Sequence, residues 1–258
     1  MRRAGHAEWT KLRTDAGNVW LVLGVMVLTV AVGAGVAVTS RCDAAGCGGD
    51  PVRLCLTGVT AGQVAVAVVA VLTVGNEYGT GMMRTTLTAV PRRLTVLLAK
   101  AAVLTAVTLP AAAASVLGSL LVGRFVEPDR GFTPQHGYRA LSLTDGPTLR
   151  AAAGSVLYLA LVGLLSLGLA VAVRDSATAI GIVLALLFVF PVLARVVADP
   201  DWQRHLQQVA PMTAGLAVQA TVGTDRLPIG PWQGLGVLAL WAVAALAAGG
   251  RLLRSRDA

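Results

Sequence analysis

The sequence predicts an all-α integral membrane protein with six transmembrane helices. Its 258 residues are 55% hydrophobic and only 13% charged, and their mean hydropathy is +0.72. A soluble domain carries roughly 25% charged residues, because charge is what covers its surface in water. Six apolar stretches also reach the length of about 20 residues that a helix needs to cross a bilayer. Composition and pattern therefore favour the same class.

The six stretches define a transmembrane domain over residues 19–252, preceded by the segment 1–18 and followed by a tail, 253–258. Its predicted spans are 19–39, 56–75, 96–122, 151–173, 176–198 and 231–252. The first apolar run is longer than the roughly 7–15 residues of a secretory signal core. We therefore expect it to be retained as a membrane span.

The distribution of Lys and Arg predicts that both termini are cytoplasmic. The side that holds the termini carries 12 of the 21 basic residues and a net charge of +7, against +1 on the other side. Positive charge concentrates in cytoplasmic loops, so we expect a multi-pass protein of the plasma membrane. The overall charge of +8 does not predict a nucleic-acid partner, since the basic residues sit mostly at span edges, where they contact membrane lipids.

Several residues inside the spans predict how the helices pack. Gly168 with Ala172, and Ala245 with Gly249, place small residues four apart, which lets helices approach closely in lipid. Lys100 falls in the first turns of the third span, where we expect its side chain to reach the cytoplasmic surface.

Two prolines, Pro110 and Pro191, lie inside spans three and five. Each frees a backbone carbonyl and tends to kink its helix. Each proline is therefore predicted to act either as a moving hinge or as a static kink.

The first loop predicted on the outer side, 41–55, carries three cysteines, Cys42, Cys47 and Cys55. In an oxidising space either a Cys42–Cys47 or a Cys42–Cys55 disulfide can form, and three unpaired thiols are the alternative. Their spacing fits no zinc site, so no metal is predicted.

The remaining outer loops are predicted from their polar residues. The carboxylate pairs Glu127/Asp129 and Asp199/Asp201 are expected to be solvated turn residues. The loop 199–230 mixes charge with apolar patches, which predicts a short amphipathic or re-entrant helix at the outer interface.

No catalytic or nucleotide-binding pattern occurs in the sequence. Neither of its two lysines, Lys11 and Lys100, lies in a GxxxxGK[ST] stretch, and HExxH and GxSxG are also absent. We therefore do not expect an enzyme, and we expect no cofactor on this chain.

Two cytoplasmic segments have helical periodicity. In His6–Trp20, Trp9, Leu12 and Ala16 share one face, which predicts an interfacial helix leading into the first span. The alternative is a solvated basic tail that only sets the topology.

The second segment, "NEYGTGMMRTTLTAVPRR", joins spans two and three. Met83, Leu87 and Val90 share a face, Arg84 lies on a neighbouring polar face, and Pro91 ends the pattern. It predicts a short helix across the cytoplasmic mouth of the bundle. The alternative is a surface loop whose arginines contact lipid phosphates.

These residues carry a resemblance to a known family. The stretches "AEWTKLRTDAGNVW", "EYGTGMMRTTLTAVPRRLTVLLAKAAV" and "PWQGLGVLALWAVAALAAGGRLLRSRDA" resemble the permease subunits of type-2 ABC exporters, in the form common in actinobacteria. The resemblance covers nearly the whole chain, and the E-Y-x-T-G-x-x-R-T-T-L run is its most specific part.

The resemblance implies a half-transporter. A second permease copy or a paralogue would pair with it, and a separate ABC ATPase subunit would bind ATP and Mg. Export of an amphiphilic or hydrophobic substrate (drug, antibiotic, peptide or lipid) would proceed by alternating access. The alternative is an accessory or scaffold membrane protein without transport activity.

The resemblance also implies roles for the two cytoplasmic segments. The segment Thr80–Val90 would be a coupling helix that contacts the ATPase, and Ala7–Ala16 would be the connecting helix beside it. The expected coupling residues are Glu77, Tyr78, Met83, Arg84 and Leu87.

Overall fold

A computed structural model describes residues 16–40, 49–80, 82, 93–133, 142 and 144–255. All regular structure in these ranges is helical. The helices are α1 Ala16–Thr39, α2 Pro51–Cys55, α3 Gly58–Gly79, α4 Arg93–Val126, α5 Gly146–Val173, α6 Ser176–Val196, α7 Pro200–Val209, α8 Pro211–Leu216 and α9 Pro231–Ser255. Short 3-10 turns lie at Pro128–Arg130, Ala217–Gln219 and Thr224–Arg226.

Six helical stretches are long and apolar enough to cross a membrane by length and composition. They are Trp20–Thr39, Pro51–Gly79, Arg93–Val126, Gly146–Val173, Ser176–Val196 and Pro231–Ser255. The predicted all-α class and the count of six are thereby confirmed for the described residues. These helices indicate a multi-pass membrane protein.

The second stretch is the one that is interrupted, because α2 ends at Cys55 and α3 begins at Gly58. Asp50 caps the start of α2 by accepting from the Arg53 amide, and Pro51 occupies the first helical position. At Gly58 an added Cβ would collide with the backbone carbonyl of Thr29 in α1. Glycine therefore allows α3 to begin directly against α1.

Helix α5 is the centre of the bundle. It packs against α3, α4, α6 and α9, and its most apolar window is 61% buried, against 22% for the windows of α1 and α6. The outer surfaces of α1 and α6 remain apolar, with Val27 and Val192 more than half exposed. Helices with apolar residues all round are typical of membrane spans, where lipid covers the outer face.

The close packing predicted from small residues occurs where α5 crosses α9. A Cβ on Gly168 would lie 2.5 Å from the carbonyl carbon of Ala245 and 2.5 Å from the amide nitrogen of Leu246. From the other side, a Cβ on Gly249 would lie 2.6 Å from the Gly168 carbonyl oxygen. Both backbones thus approach to a distance that only glycine allows.

The long helices alternate in direction, so their ends form two faces. At one, here called the basal face, α3 ends, α4 begins, α5 ends, α6 begins and α9 ends. At the opposite face, here called the distal face, α3 begins, α4 ends and α9 begins. Side-chain contacts between the elements at each face, described below, establish this grouping.

The predicted outer-loop helix proves to be two different helices at the distal face. Helix α7 has no buried residue and carries the amphipathic pattern. Helix α8 buries Pro211, Ala214 and Gly215, and it reaches into the bundle, since a Cβ on Gly215 would lie 2.7 Å from the ring of Tyr158. The loop therefore contains an exposed amphipathic helix followed by a helix packed into the bundle, and the position of either at the outer membrane interface stays a prediction.

The two prolines within spans lie inside continuous helices. Pro110 is an interior residue of α4 and Pro191 an interior residue of α6. Near the first of them, the hydroxyl of Thr108 donates to the Leu104 carbonyl of the preceding turn. Both helices continue past the proline, and a hinge role for either residue stays a prediction.

Candidate functional site: a charged cluster at the basal face

The end of α3 and the start of α4 are joined by a buried ion pair. The Nζ of Lys100 lies 2.7 Å from Oε1 of Glu77, and the two side chains are 4% and 7% exposed. Both residues also make further interactions beyond this pair. Burying two charges costs desolvation energy that good pairing geometry must offset. The pair therefore fixes the relative position of the two helices on either side of residues 80–92.

The expectation that Lys100 reaches the membrane surface is wrong for this structure. The side chain points to the carboxylate of Glu77 and is buried among the helices. Snorkelling requires a polar surface within reach and no closer anion. A carboxylate one hydrogen bond away in a dry site is the stronger attraction, because Coulomb energy grows as the local dielectric constant falls.

Arg174 connects the end of α5 to the end of α3. Its guanidinium carbon lies 5.7 Å from the centre of the Tyr78 ring, within cation–π range. The backbone of Arg174 has φ 66 and ψ 7, the left-handed region, which favours glycine at the end of a helix. A bulky residue in this conformation costs of order 1–3 kcal/mol, and such outliers cluster at functional sites. Position 174 is therefore occupied by arginine although glycine would adopt this backbone conformation with less strain.

The same turn starts α6 with a side-chain cap. Asp175 accepts from the Thr178 amide at 2.7 Å. Hydrogen bonding by the Thr178 side chain, and then by its amide, holds the pKa of the Asp175 carboxyl below the usual range. At this turn a Cβ on Gly75 would collide with the side chain of Ser176, so α3 lies directly against the start of α6. The turn Arg174–Ser176 thus joins α5 to α6 and lies against α3.

Arg93 adds the last helix to the cluster. One guanidinium nitrogen of Arg93, at the start of α4, donates to the carbonyl oxygen of Leu253 near the end of α9, at 2.8 Å. A cation at a helix C-terminus satisfies a carbonyl that has no partner in its own helix and complements the helix dipole. We call Glu77, Tyr78, Arg93, Lys100 and Arg174 the basal cluster.

The sequence-based site residues meet the structure only in part. Glu77 and Tyr78 belong to the basal cluster. Glu77 is only 5% exposed, and its carboxylate pairs with Lys100 inside the bundle. Met83, Arg84 and Leu87 of the predicted coupling helix lie outside the described residues. The interfacial helix Ala7–Ala16 also lies outside them, apart from its last residue, and so does the cysteine pair Cys42 and Cys47.

Three members of the basal cluster were missed as site residues, namely Arg93, Lys100 and Arg174. A signal for Lys100 was present. Glu77 closes the second span and Lys100 opens the third, so opposite charges stand at the same end of two consecutive antiparallel helices. For Arg174 the only signal was a very short inter-helix turn without glycine, which leaves one residue to take the left-handed conformation.

A second set of polar groups crosses the bundle interior. The hydroxyl of Tyr158 in α5 donates to Oε1 of Gln63 in α3, and Nε2 of Gln63 contacts the sulfur of Met212 in α8 at 3.4 Å. Nearby, Nε2 of Gln219 donates to the hydroxyl of Ser155 at 3.0 Å. Pairing is required here because an unsatisfied polar group in a dry interior costs several kcal/mol. These bonds hold α8 and the turn Ala217–Gln219 against α3 and α5.

The distal face is fastened by Asp50. Its carboxylate accepts from the hydroxyl of Thr221 at 2.7 Å, from the amide of Val222 at 3.2 Å, and from the amide of Thr221. Arg150 donates to the carbonyl of Ala220 at 2.7 Å. The chain after the turn Ala217–Gln219 is therefore bound to both the start of α2 and α5.

We predict that Asp50→Ala loosens the distal face. The substitution removes the cap of α2 and three hydrogen bonds to a charged acceptor, at an expected cost of about 2–4 kcal/mol of unfolding free energy. Hydrogen exchange of the Thr221 and Val222 amides should accelerate, while the Thr178 amide, capped by Asp175 at the other face, keeps its wild-type rate. Unchanged protection at Thr221 and Val222 would refute the clamp.

Two expectations about the distal loops need correction. Cys55 is a free, buried thiol, so the Cys42–Cys55 alternative is wrong here. Its Sγ donates to Oε1 of Glu127 at 2.9 Å, and Glu127 is only 5% exposed. The Glu127 carboxyl is therefore no solvated turn residue, and burial raises its pKa although the thiol contact opposes the shift. Asp199, by contrast, is an exposed cap of α7.

The basal cluster links α3, α4, α5 and α9 through its charged and aromatic side chains. The charges of the basal cluster are paired with one another, with a ring or with a carbonyl. Within the described residues no three His, Cys, Asp or Glu side chains are grouped as metal ligands. No protein-family model matches the chain, and no curated protein matches it.

Proposed function

We propose that the chain is the transmembrane permease subunit of an ATP-driven ABC exporter. In this proposal a separate ABC ATPase supplies ATP hydrolysis, and a second permease copy or paralogue completes the transporter in the plasma membrane. The substrate would be amphiphilic or hydrophobic. The support comes from the sequence resemblance, from the six apolar helices, and from the construction of the basal cluster.

One observation carries the proposal. The segment proposed to contact the ATPase joins Gly79 to Arg93, and residues at both of its ends are anchored in the basal cluster. At one end Glu77 and Tyr78 contact α4 and the end of α5; at the other Arg93 contacts α9. A force applied to this segment would therefore reach four long helices at once. Where packed helices have two alternative arrangements, a small local displacement can switch the whole bundle from one arrangement to the other.

The side of the protein that holds both termini, which includes the basal face, has the larger positive charge, and this favours a cytoplasmic location. An ATPase would be available there. The proposed mechanism is alternating access, with closure of the partner ATPases driving a rearrangement of the helices. The permease then needs no catalytic group, only a stiff connection between the contact segment and the spans. Glu77 and Lys100 would supply that stiffness from the interior.

The proposal predicts the behaviour of Arg84→Glu. Reversing the charge of the proposed contact helix should reduce co-purification with the ATPase, or leave association intact and uncouple ATP hydrolysis from transport. The measurements are pull-down yield and the ATPase rate of the complex in nanodiscs. Arg124→Glu, an exposed residue near the distal end of α4, is the matched control and should leave both unchanged. Unaltered association, ATPase activity and export in Arg84→Glu would refute the coupling assignment.

An accessory or scaffold membrane protein is the alternative. It would share the six-helix architecture without needing an ATPase partner. The anchoring of both ends of the 80–92 segment favours the permease, because a scaffold has no need of a stiff connection at that point.

A further inference from the structure

An open groove of about 570 Å³ lies at the distal face, between α7 and the turn Thr224–Arg226. Its walls are predominantly polar and include Gln203, Arg204 and Gln207 from α7, and Asp225, Arg226 and Pro228 from the turn. The groove belongs neither to the basal cluster nor to the interior hydrogen bonds. It therefore raises a separate question about its occupant.

The groove walls are held in place by hydrogen bonds. Nε2 of Gln208 donates to the carbonyl of Pro228 at 2.7 Å, which joins α7 to the turn. The indole nitrogen of Trp241 in α9 donates to the carbonyl of Val209 at 3.0 Å, which fastens the end of α7 to the bundle. The groove is thus a feature of the folded chain, with both of its sides anchored.

Helix α7 has the character of a helix lying in a membrane interface. Trp202, Leu206 and Val209 recur at i, i+4 and i+7, and Trp202 and Val209 are 64% and 53% exposed. The helix follows α6 directly, and Val196 at the end of that span is 77% exposed. An exposed apolar stripe beside a span end is suited to insertion among lipid headgroups. Gln203 and Gln207, which line the groove, follow Trp202 and Leu206 and so lie about 100° around the helix from this stripe.

The charges of the groove favour a monovalent phosphate. Arg204 and Arg226 bring two guanidinium groups from different elements, and Asp225 brings one carboxylate. Arg204 is 3.7 Å from Asp201, an exposed pair of little strength. Within the described chain no side-chain bond engages Arg226. A guanidinium matches phosphate oxygens in a bidentate geometry, and the net charge of +1 suits a phosphodiester better than a dianion.

The N-terminus of α7 does not provide the anion site. Its first amides, those of Asp201 and Trp202, are occupied by the Asp199 carboxylate at 2.9 and 3.5 Å. Recognition of a phosphate here would fall to the arginine side chains.

We propose that the groove binds the phosphodiester headgroup of a phospholipid in the leaflet at the distal face. The phosphate contacts Arg204 and Arg226, and the acyl chains pass beside Pro200, which lines the groove at the start of α7, to reach the exposed side chains of Trp202 and Val196. The inference rests on the membrane character of the chain and is independent of the proposed ATPase coupling.

The test uses the full chain, delipidated in detergent, with dioleoylphosphatidylglycerol as the probe and native mass spectrometry as the readout. Wild type should retain one tightly held lipid, and Arg204→Gln/Arg226→Gln should lower its affinity by ~10-fold or more, since two charge-assisted contacts are lost. Arg226→Gln alone should show a smaller loss. Arg195→Gln, an exposed arginine at the end of α6 outside the groove, should bind as wild type does.

Two competitors identify what is recognised. Dioleoylglycerol, which has the same acyl chains without the phosphodiester, should not displace the lipid, and neither should inorganic phosphate. Displacement by dioleoylglycerol would mean that acyl chains alone are bound, and displacement by inorganic phosphate would mean a free-anion site. Either result would overturn the proposal, as would equal lipid retention by wild type and the double variant.

Discussion

Replacement of Lys100 by methionine is expected to lower the free energy of unfolding by roughly 3–5 kcal/mol, because it leaves the buried Glu77 carboxylate without its cation. Glu77→Leu alone should be costly for the converse reason, since it leaves the buried Lys100 ammonium without its anion. The double variant Lys100→Met/Glu77→Leu should recover a large part of the loss, since well-packed apolar side chains of similar volume often replace a buried ion pair without penalty. Denaturant titration in detergent micelles measures all four proteins.

The double-mutant cycle makes this result specific to the pair. Coupling between the two substitutions should reach about 3 kcal/mol or more, because the double variant escapes most of the loss that each single substitution causes. Arg124→Met, an exposed cation on the same helix, should change stability by no more than about 0.5 kcal/mol. Additive effects, or a Lys100→Met protein as stable as Arg124→Met, would contradict a buried ion pair.

The second large effect is expected at the crossing of α5 and α9. Gly168→Ala adds a methyl group 2.5 Å from the backbone of Ala245, where neither helix can yield by rotating a side chain. We expect about 3 kcal/mol of destabilisation from overpacking, against a gain of less than about 1 kcal/mol in helix propensity. Gly168→Leu should prevent assembly of the bundle. Thermal unfolding followed by size-exclusion chromatography measures both.

Gly236→Ala is the matched control for this substitution. Gly236 lies in α9, and a Cβ there would meet nothing within 4 Å. The variant should equal wild type or gain a few tenths of a kcal/mol. If Gly168→Ala and Gly236→Ala had the same stability, the two helices would not cross where the structure has them.

The spans were predictable because apolar length is a local property of the sequence. Six stretches of sufficient length gave the correct number of spanning helices, and small residues at Gly168 and Gly249 indicated a close helix contact. Which helices meet there is a matter of tertiary packing. The α5–α9 crossing joins segments more than seventy residues apart, and no local pattern pairs them.

The candidate site was predictable to a smaller degree. Glu77 and Tyr78 were selected from the resemblance as surface contacts, whereas the structure places the Glu77 carboxylate against Lys100 in the interior. The contact between Cys55 and Glu127 joins residues 72 positions apart, and neither has a sequence neighbour that indicates it. Burial in a bundle depends on which faces meet, and single-sequence periodicity is weak where a helix is apolar all round.

The most direct measurement on the proposed function is affinity purification of the tagged chain from native membranes, with mass spectrometry of the proteins that accompany it. The proposal predicts an ATPase with a P-loop in near-stoichiometric amount, and a reduced amount with Arg84→Glu if that residue contributes to binding. A second permease copy or paralogue should appear in the same complex. Recovery of the folded chain from membranes without any P-loop ATPase would contradict the proposal.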